Sequence, residues 1–131
     1  MEEKTGEEKI SVTDSELRIL ELLWERGALT VREIQEGLEA ETGWSKHTVI
    51  SLLKRMMQKD TAAPLGRSPE EYVPLVSRES VVRQQSRGLA GRLFGGSAVR
   101  MLSALVAQEE LSDAEIDSLM EQLRRAKEGK K

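Results

Sequence analysis

The chain has 131 residues, 33% of them charged, with a formal net charge of −3, one histidine and no cysteine. That length suits one compact domain, or a small domain with an appended helical arm. The missing cysteine excludes disulfides, thiolate metal sites and cysteine nucleophiles, and the acidic balance argues against general stickiness towards polyanions. No apolar run approaches the length of a membrane span and no signal peptide is evident, so the expectation is a cytoplasmic protein with no membrane partner.

Residues 1–9 are charged and aperiodic, which predicts a disordered leader. Thr13-Asp14-Ser15-Glu16 is a capping box, in which a hydroxyl and a carboxylate three residues apart satisfy each other's backbone donors at a helix start. Leu17, Leu20, Leu23 and Trp24 follow as a helical stripe, and Gly27 offers a left-handed stop. A second capping box, Thr30-Val31-Arg32-Glu33, opens a helix with Val31, Ile34 and Leu38 inward. Gly43 breaks it, and Ser45 is a good N-cap for a third helix.

Residues 44–59 carry that third helix and contain no acid, inside a chain that is acidic overall. Val49, Leu52, Leu53 and Met56 fall at i, i+3, i+4 and i+7 and share one buried face. At 100° per residue His47, Ser51, Lys54 and Gln58 lie opposite, flanked by Thr48, Ile50 and Arg55. Small polar and cationic groups on a solvated face are what a DNA recognition helix offers to base edges and phosphates; the plainer reading is a basic surface helix. Charge is unevenly spread: residues 1–41 carry five bases and twelve acids, whereas residues 42–59 carry four bases and no acid. A duplex is drawn to one patch and repelled elsewhere. Three short helices with tight turns, the third amphipathic and basic, fit a helix-turn-helix bundle.

Residues 61–76 hold Pro64, Gly66, Pro69 and Pro74 around a β-prone run of Tyr72, Val73, Leu75 and Val76. Two short strands around a Gly66-Arg67 turn make a wing, with Arg67 its candidate for the DNA backbone. Pro64 permits only an edge strand, and Glu70 and Glu71 are poorly suited to approach phosphate. Helix returns at Ser77 and runs to Phe94, with Val81, Val82, Leu89 and Leu93 as inward positions. Gly95-Gly96 ends it, and Ser97 caps a helix carrying Val99, Met101, Leu102, Leu105 and Val106. A third capping box, Ser112-Asp113-Ala114-Glu115, opens a last helix with Ile116, Leu119, Met120 and Leu123, closing in a basic tail. Three such helices cannot close a dry core alone. Leu89, Leu93, Phe94, Val99, Leu102, Leu105, Val106, Ile116, Leu119 and Leu123 are therefore candidates for pairing with a second copy; packing back on the N-terminal domain is the alternative.

In this order the pieces resemble the BlaI/MecI/CopY family of penicillinase-type transcriptional repressors over about residues 10–126. The resemblance is carried by Ile10-Ser11-Val12-Thr13-Asp14-Ser15-Glu16, Trp24, Trp44-Ser45-Lys46-His47-Thr48-Val49, Leu52-Leu53 and Arg55-Met56. It continues through Tyr72-Val73-Pro74-Leu75-Val76-Ser77-Arg78-Glu79, Leu93-Phe94-Gly95-Gly96-Ser97 and Leu111-Ser112-Asp113-Ala114-Glu115-Ile116. It implies a mainly α fold: a winged helix-turn-helix domain with a small β-wing over 10–76, a helical dimerisation domain over 77–127, and a basic tail over 128–131. It also implies a homodimer on a palindromic operator. Carried over by position, Lys46, His47, Thr48, Ile50 and Ser51 meet bases, Lys54 and Arg55 face phosphates, and Ser45 lies at the phosphate-binding helix start, while Trp44 packs in the core. The copper-responsive branch of the family uses a cysteine cluster that this chain lacks, which rules out metal sensing by that route. The β-lactam-responsive branch is cut at an Asn-Phe bond, where this chain aligns Ala104-Leu105, leaving any inactivating protease or sensor unassigned. The lead-in to the wing departs too: Lys-Gly in the family is Lys59-Asp60 here, so a short or altered wing is expected.

No nucleophile–base pair, metal cluster or phosphate-binding glycine loop supports catalysis, so the chain is expected to be no enzyme and to need no cofactor. The rival reading is a winged-helix interaction module that has lost operator binding and docks a protein partner through its acidic helices.

Overall fold

A computed structural model describes residues 11–129; the expected leader, Ile10 and the last two residues of the expected basic tail lie outside the described residues. The described chain runs α1 (Asp14–Arg26), β1 (Leu29–Thr30), α2 (Val31–Thr42), α3 (Lys46–Gln58), β2 (Ala62–Pro64), β3 (Glu71–Pro74), α4 (Arg78–Phe94), α5 (Ala98–Gln108) and α6 (Asp113–Glu128). It divides into two compact units, one ending at Ser86 and the other beginning at Arg87, so α4 starts in the first and ends in the second.

The first unit is a winged helix. Its three helix starts are the expected ones: Thr13, Thr30 and Ser45 each accept the backbone N–H three residues on, the first two in full capping boxes. Ile19, Leu20, Leu22, Leu23, Leu29, Ile34, Leu38, Val49, Leu52, Leu53, Met56 and Ala62 form the core, with Val12, Trp24, Val31, Trp44, Tyr72 and Val76 packed around it. Each buried Leu, Ile or Val contributes about 1.5–3 kcal/mol relative to exposure, far above the few tenths that propensity gives a short helix. Packing therefore holds these helices together.

The α1 stripe is rotated from the expected one. Glu16, Ile19, Leu20 and Leu23 occupy i, i+3, i+4 and i+7 and face the core, while Leu17 and Trp24 are only half-buried. A glutamate at the start of the buried face hid the true phase. Gly27 also differs: its φ of 90° comes with ψ of −154°, an extended glycine conformation rather than the left-handed helical one, which Gly43 does adopt.

The sheet has three strands in the order β1-β3-β2, both pairings antiparallel, with Leu29 opposite Tyr72 and Ala63 opposite Val73. Pro64 sits on edge strand β2, as expected, whereas β1 was not anticipated: two residues leave no periodicity to read. Residue 60 is the joint between α3 and the wing. Asp60 has φ of 61°, Thr61 N donates to Met56 O at 2.9 Å, and Asp60 N donates to Met57 O at 3.2 Å. This is a Schellman stop with aspartate at the position that glycine usually takes.

In the second unit the end of α4 buries Ala90 and half-buries Leu89 and Phe94, and Gly95 and Gly96, both at positive φ, turn the chain into α5. Neither α5 nor α6 buries any residue. Of the inward positions expected on α4, Val81, in the first unit, is buried but Val82 and Leu93 are exposed; Val81 and Ala90 lie nine residues apart, on opposite sides of the helix, so no single inward stripe runs along it.

A candidate nucleic-acid interface on helix α3

Two faces of α3 have opposite fates. Val49, Leu52, Leu53 and Met56 are all buried, and they hold the helix against α1, α2 and β2. Ser45, Lys46, His47, Ile50, Ser51, Lys54 and Arg55 are exposed, and Thr48 is half-buried at the edge. One apolar side chain, Ile50, stands among the polar ones, 39% exposed. Among the described residues, Lys46, Lys54 and Arg55 make no ion pair, so their charge is available to a partner.

The start of the helix is rigidly made. Thr42 Oγ1 donates to Leu38 O at 2.7 Å and accepts from Trp44 N at 3.1 Å, closing the turn between α2 and α3. Gln35 Nε2 donates to Trp44 O at 3.0 Å, and the half-buried Trp44 ring packs on the core. Ser45 Oγ accepts from Thr48 N at 3.2 Å, so its hydroxyl is already used as the cap. Thr48 Oγ1 lies 3.3 Å from Ser45 Oγ, which ties the second hydroxyl to the same turn. Gln35 was missed in the sequence because a single glutamine on a helix gives no sign that it spans a turn.

The family model described as Penicillinase repressor matches residues 12–125. The chain belongs to the penicillinase repressor family. It is similar to the penicillinase repressor of Bacillus licheniformis, 23% identical over 124 residues, covering 92% of this chain and 94% of that protein. It is similar at 22% identity over 123 residues to the methicillin resistance regulatory protein MecI of Staphylococcus aureus strain N315, covering 91% and 94%. A solved structure, the monomeric form of BlaI from Bacillus licheniformis in complex with the blaP half-operator, matches with a TM-score of 0.48 at 19% identity over 54% of this chain and 88% of that one. By family the chain is a DNA-binding repressor and not an enzyme.

In this repressor the far end of α3 is held by a contact the sequence did not reveal. Lys59 Nζ donates to Glu16 Oε1 at 2.7 Å and to Ser11 O at 2.8 Å. Glu16 is fully buried, Lys59 is 24% exposed, and the same Glu16 oxygen accepts Thr13 N at 3.1 Å. One carboxylate thus caps α1 and fastens the residue that follows α3.

The wing is self-paired. Arg67 Nη2 donates to Glu71 Oε1 at 2.7 Å, and Gly66 N donates to Glu70 Oε2 at 2.7 Å. Arg67 therefore reaches the surface already neutralised. The dimerisation candidates lie on exposed or half-buried helix faces: Leu93, Val99, Leu102, Leu105, Val106, Ile116 and Leu123 are exposed, and Leu89, Phe94 and Leu119 half-buried. Ala104 and Leu105, aligned with the cleaved bond, lie within α5, the first half-buried and the second exposed. Among the described residues no cluster of His, Cys, Asp and Glu could hold a metal ion, and no single helix is long and apolar enough to cross a membrane.

Proposed function

We propose that this chain is a cytoplasmic homodimeric repressor that occupies a palindromic operator, each protomer laying α3 in a major groove. The observation that carries the proposal is the outward face of α3, with three unpaired cations, two small hydroxyl residues, a histidine and one isoleucine, and no acid. Lys46, His47, Thr48, Ile50 and Ser51 read base edges from the first turns, the isoleucine suiting a thymine methyl, while Lys54 and Arg55 meet phosphates. Ser45 lies where the backbone N–H groups of the helix start can approach a phosphate. Two such helices reading half-sites about one or two duplex turns apart require a symmetric partner. Support for that partner comes from α5 and α6, which bury no residue fully and leave Val99, Leu102, Leu105, Val106, Ile116, Met120 and Leu123 exposed to water.

The experiment is a selection of random duplex DNA by the purified protein at near-physiological salt. Enrichment of a two-fold-symmetric motif is the expected result. Lys54→Ala then weakens binding to all sequences and lowers the salt slope by about one unit, whereas Ser51→Ala or Thr48→Ala relaxes preference at particular positions. The interaction-module reading has one observation in its favour, the acid-paired wing, and predicts weak salt-sensitive binding with no enriched motif.

A further inference from the structure

Basic groups of the first unit face solvent in two different states. On α3, Lys46, Lys54 and Arg55 make no ion pair among the described residues. The tip of the wing, residues 65–69, is exposed throughout and joins β2, which packs on α3, to β3. Its two groups suited to an anion are both occupied. Gly66 N donates to Glu70 Oε2 at 2.7 Å, and Arg67 Nη2 donates to Glu71 Oε1 at 2.7 Å. The donors stand outermost: the Arg67 side chain is 65% exposed, while Glu70 and Glu71 are half-buried behind it. Gly66, at φ of 81°, has open space where a side chain would stand, so nothing but Glu70 covers its N–H.

We propose that the wing tip is an anion-binding site filled by the chain's own carboxylates, with Glu70 and Glu71 standing where phosphate oxygens of a duplex would bind, and that this keeps the wing off the DNA backbone. The inference rests on the operator reading above and deepens it: the phosphate contacts of this repressor come from α3, and the wing adds none.

The donor set is the one that binds phosphate. A backbone N–H beside a guanidinium offers charge-assisted hydrogen bonds to two oxygens, and a carboxylate satisfies it as a phosphate would. An exposed ion pair is weak in itself. It matters here through competition, because a phosphate must displace both carboxylates and then lie beside two negative charges left on half-buried side chains. Little is gained by that exchange. A filled site of this kind lowers affinity for every duplex alike, since phosphates carry no sequence, and leaves discrimination to the side chains on α3.

The test measures binding of the full-length protein to the selected operator and to a shuffled duplex of the same length, over a range of salt. Glu70→Ala/Glu71→Gln uncovers the Gly66 N–H and leaves Arg67 with an uncharged neighbour. It is expected to tighten binding to both duplexes by about fivefold at near-physiological salt and to steepen the salt slope by about one unit. Arg67→Ala is expected to change wild-type affinity by less than about twofold, yet to abolish the gain when added to the double variant. Glu21→Gln/Glu25→Gln removes the same charge from exposed positions on α1 and is expected to shift affinity by less than about twofold, because charges remote from the duplex are screened. Misfolding cannot imitate this outcome, since the change is a gain of binding. Unchanged binding by Glu70→Ala/Glu71→Gln, an equal gain in the α1 variant, or a fivefold loss from Arg67→Ala in the wild-type background overturns the self-filled site. Failure of the wild-type protein to prefer any duplex overturns the operator reading itself, which separates the two.

Discussion

Replacing Lys59 by methionine strands the Glu16 carboxylate. In the wild-type chain Glu16 Oε1 accepts Lys59 Nζ at 2.7 Å and Thr13 N at 3.1 Å, and Oε2 is buried with no hydrogen-bond partner. Methionine fills much the same volume and removes the ammonium, leaving a fully buried carboxylate with one backbone donor. Breaking a buried pair in this way costs about 3–5 kcal/mol; because Lys59 is 24% exposed and partly screened, the lower end, ~3 kcal/mol, is expected. For a domain of this size that is a fall in Tm of roughly 12–24 °C. Glu16→Gln removes the charge but keeps an oxygen for Thr13 N, so the double variant Glu16→Gln/Lys59→Met is expected to be less damaged than the sum, by about 1–3 kcal/mol. Urea and thermal unfolding followed by circular dichroism measure all four proteins. A loss below ~1 kcal/mol for Lys59→Met, or strict additivity in the cycle, refutes the reasoning, because the pair would then be solvated and α3 held by packing alone.

Asp60→Gly relieves a left-handed backbone that costs an aspartate about 1–2 kcal/mol, against about 0.5–1 kcal/mol of extra glycine entropy, so a net gain of ~0.5–1 kcal/mol is expected in the same unfolding experiments. Glu71→Gln frees Arg67 from its partner while preserving a hydrogen bond. It should steepen the salt dependence of DNA binding by about 0.9 in log–log slope, and an unchanged slope would mean that the wing stays clear of phosphate. Leu102→Glu together with Leu105→Glu places charge on an apolar helix face, and sedimentation should show dimer giving way to monomer with the first unit still folded; a persistent dimer would move the interface elsewhere.

Much of helix α3 was legible because its signal is redundant. Val49, Leu52, Leu53 and Met56 have one phase, Ser45 is a good cap, and the acid-free stretch marks the solvated face. The α1 stripe was misread because Glu16 lies on the core side, and periodicity arguments assign a glutamate to water. The departure at residue 60 was visible as Lys59-Asp60 where the family has Lys-Gly, and its consequence is small: aspartate tolerates the left-handed conformation, and the helix stops where glycine would stop it.

The sequence by itself determined where helices begin and end, which face of α3 is solvated, and where positive charge gathers, since capping, periodicity and charge are local properties of neighbouring residues. Tertiary structure decided the partners of single residues far apart in the chain: Lys59 with Glu16, Trp24 with Val76 and Arg78, Gln85 with Val12, and the two-residue β1 with β3. None of these pairs has a spacing that repeats. Each exists because packing three helices and a small sheet around one core brings it together, at a sequence separation over which no local pattern carries information.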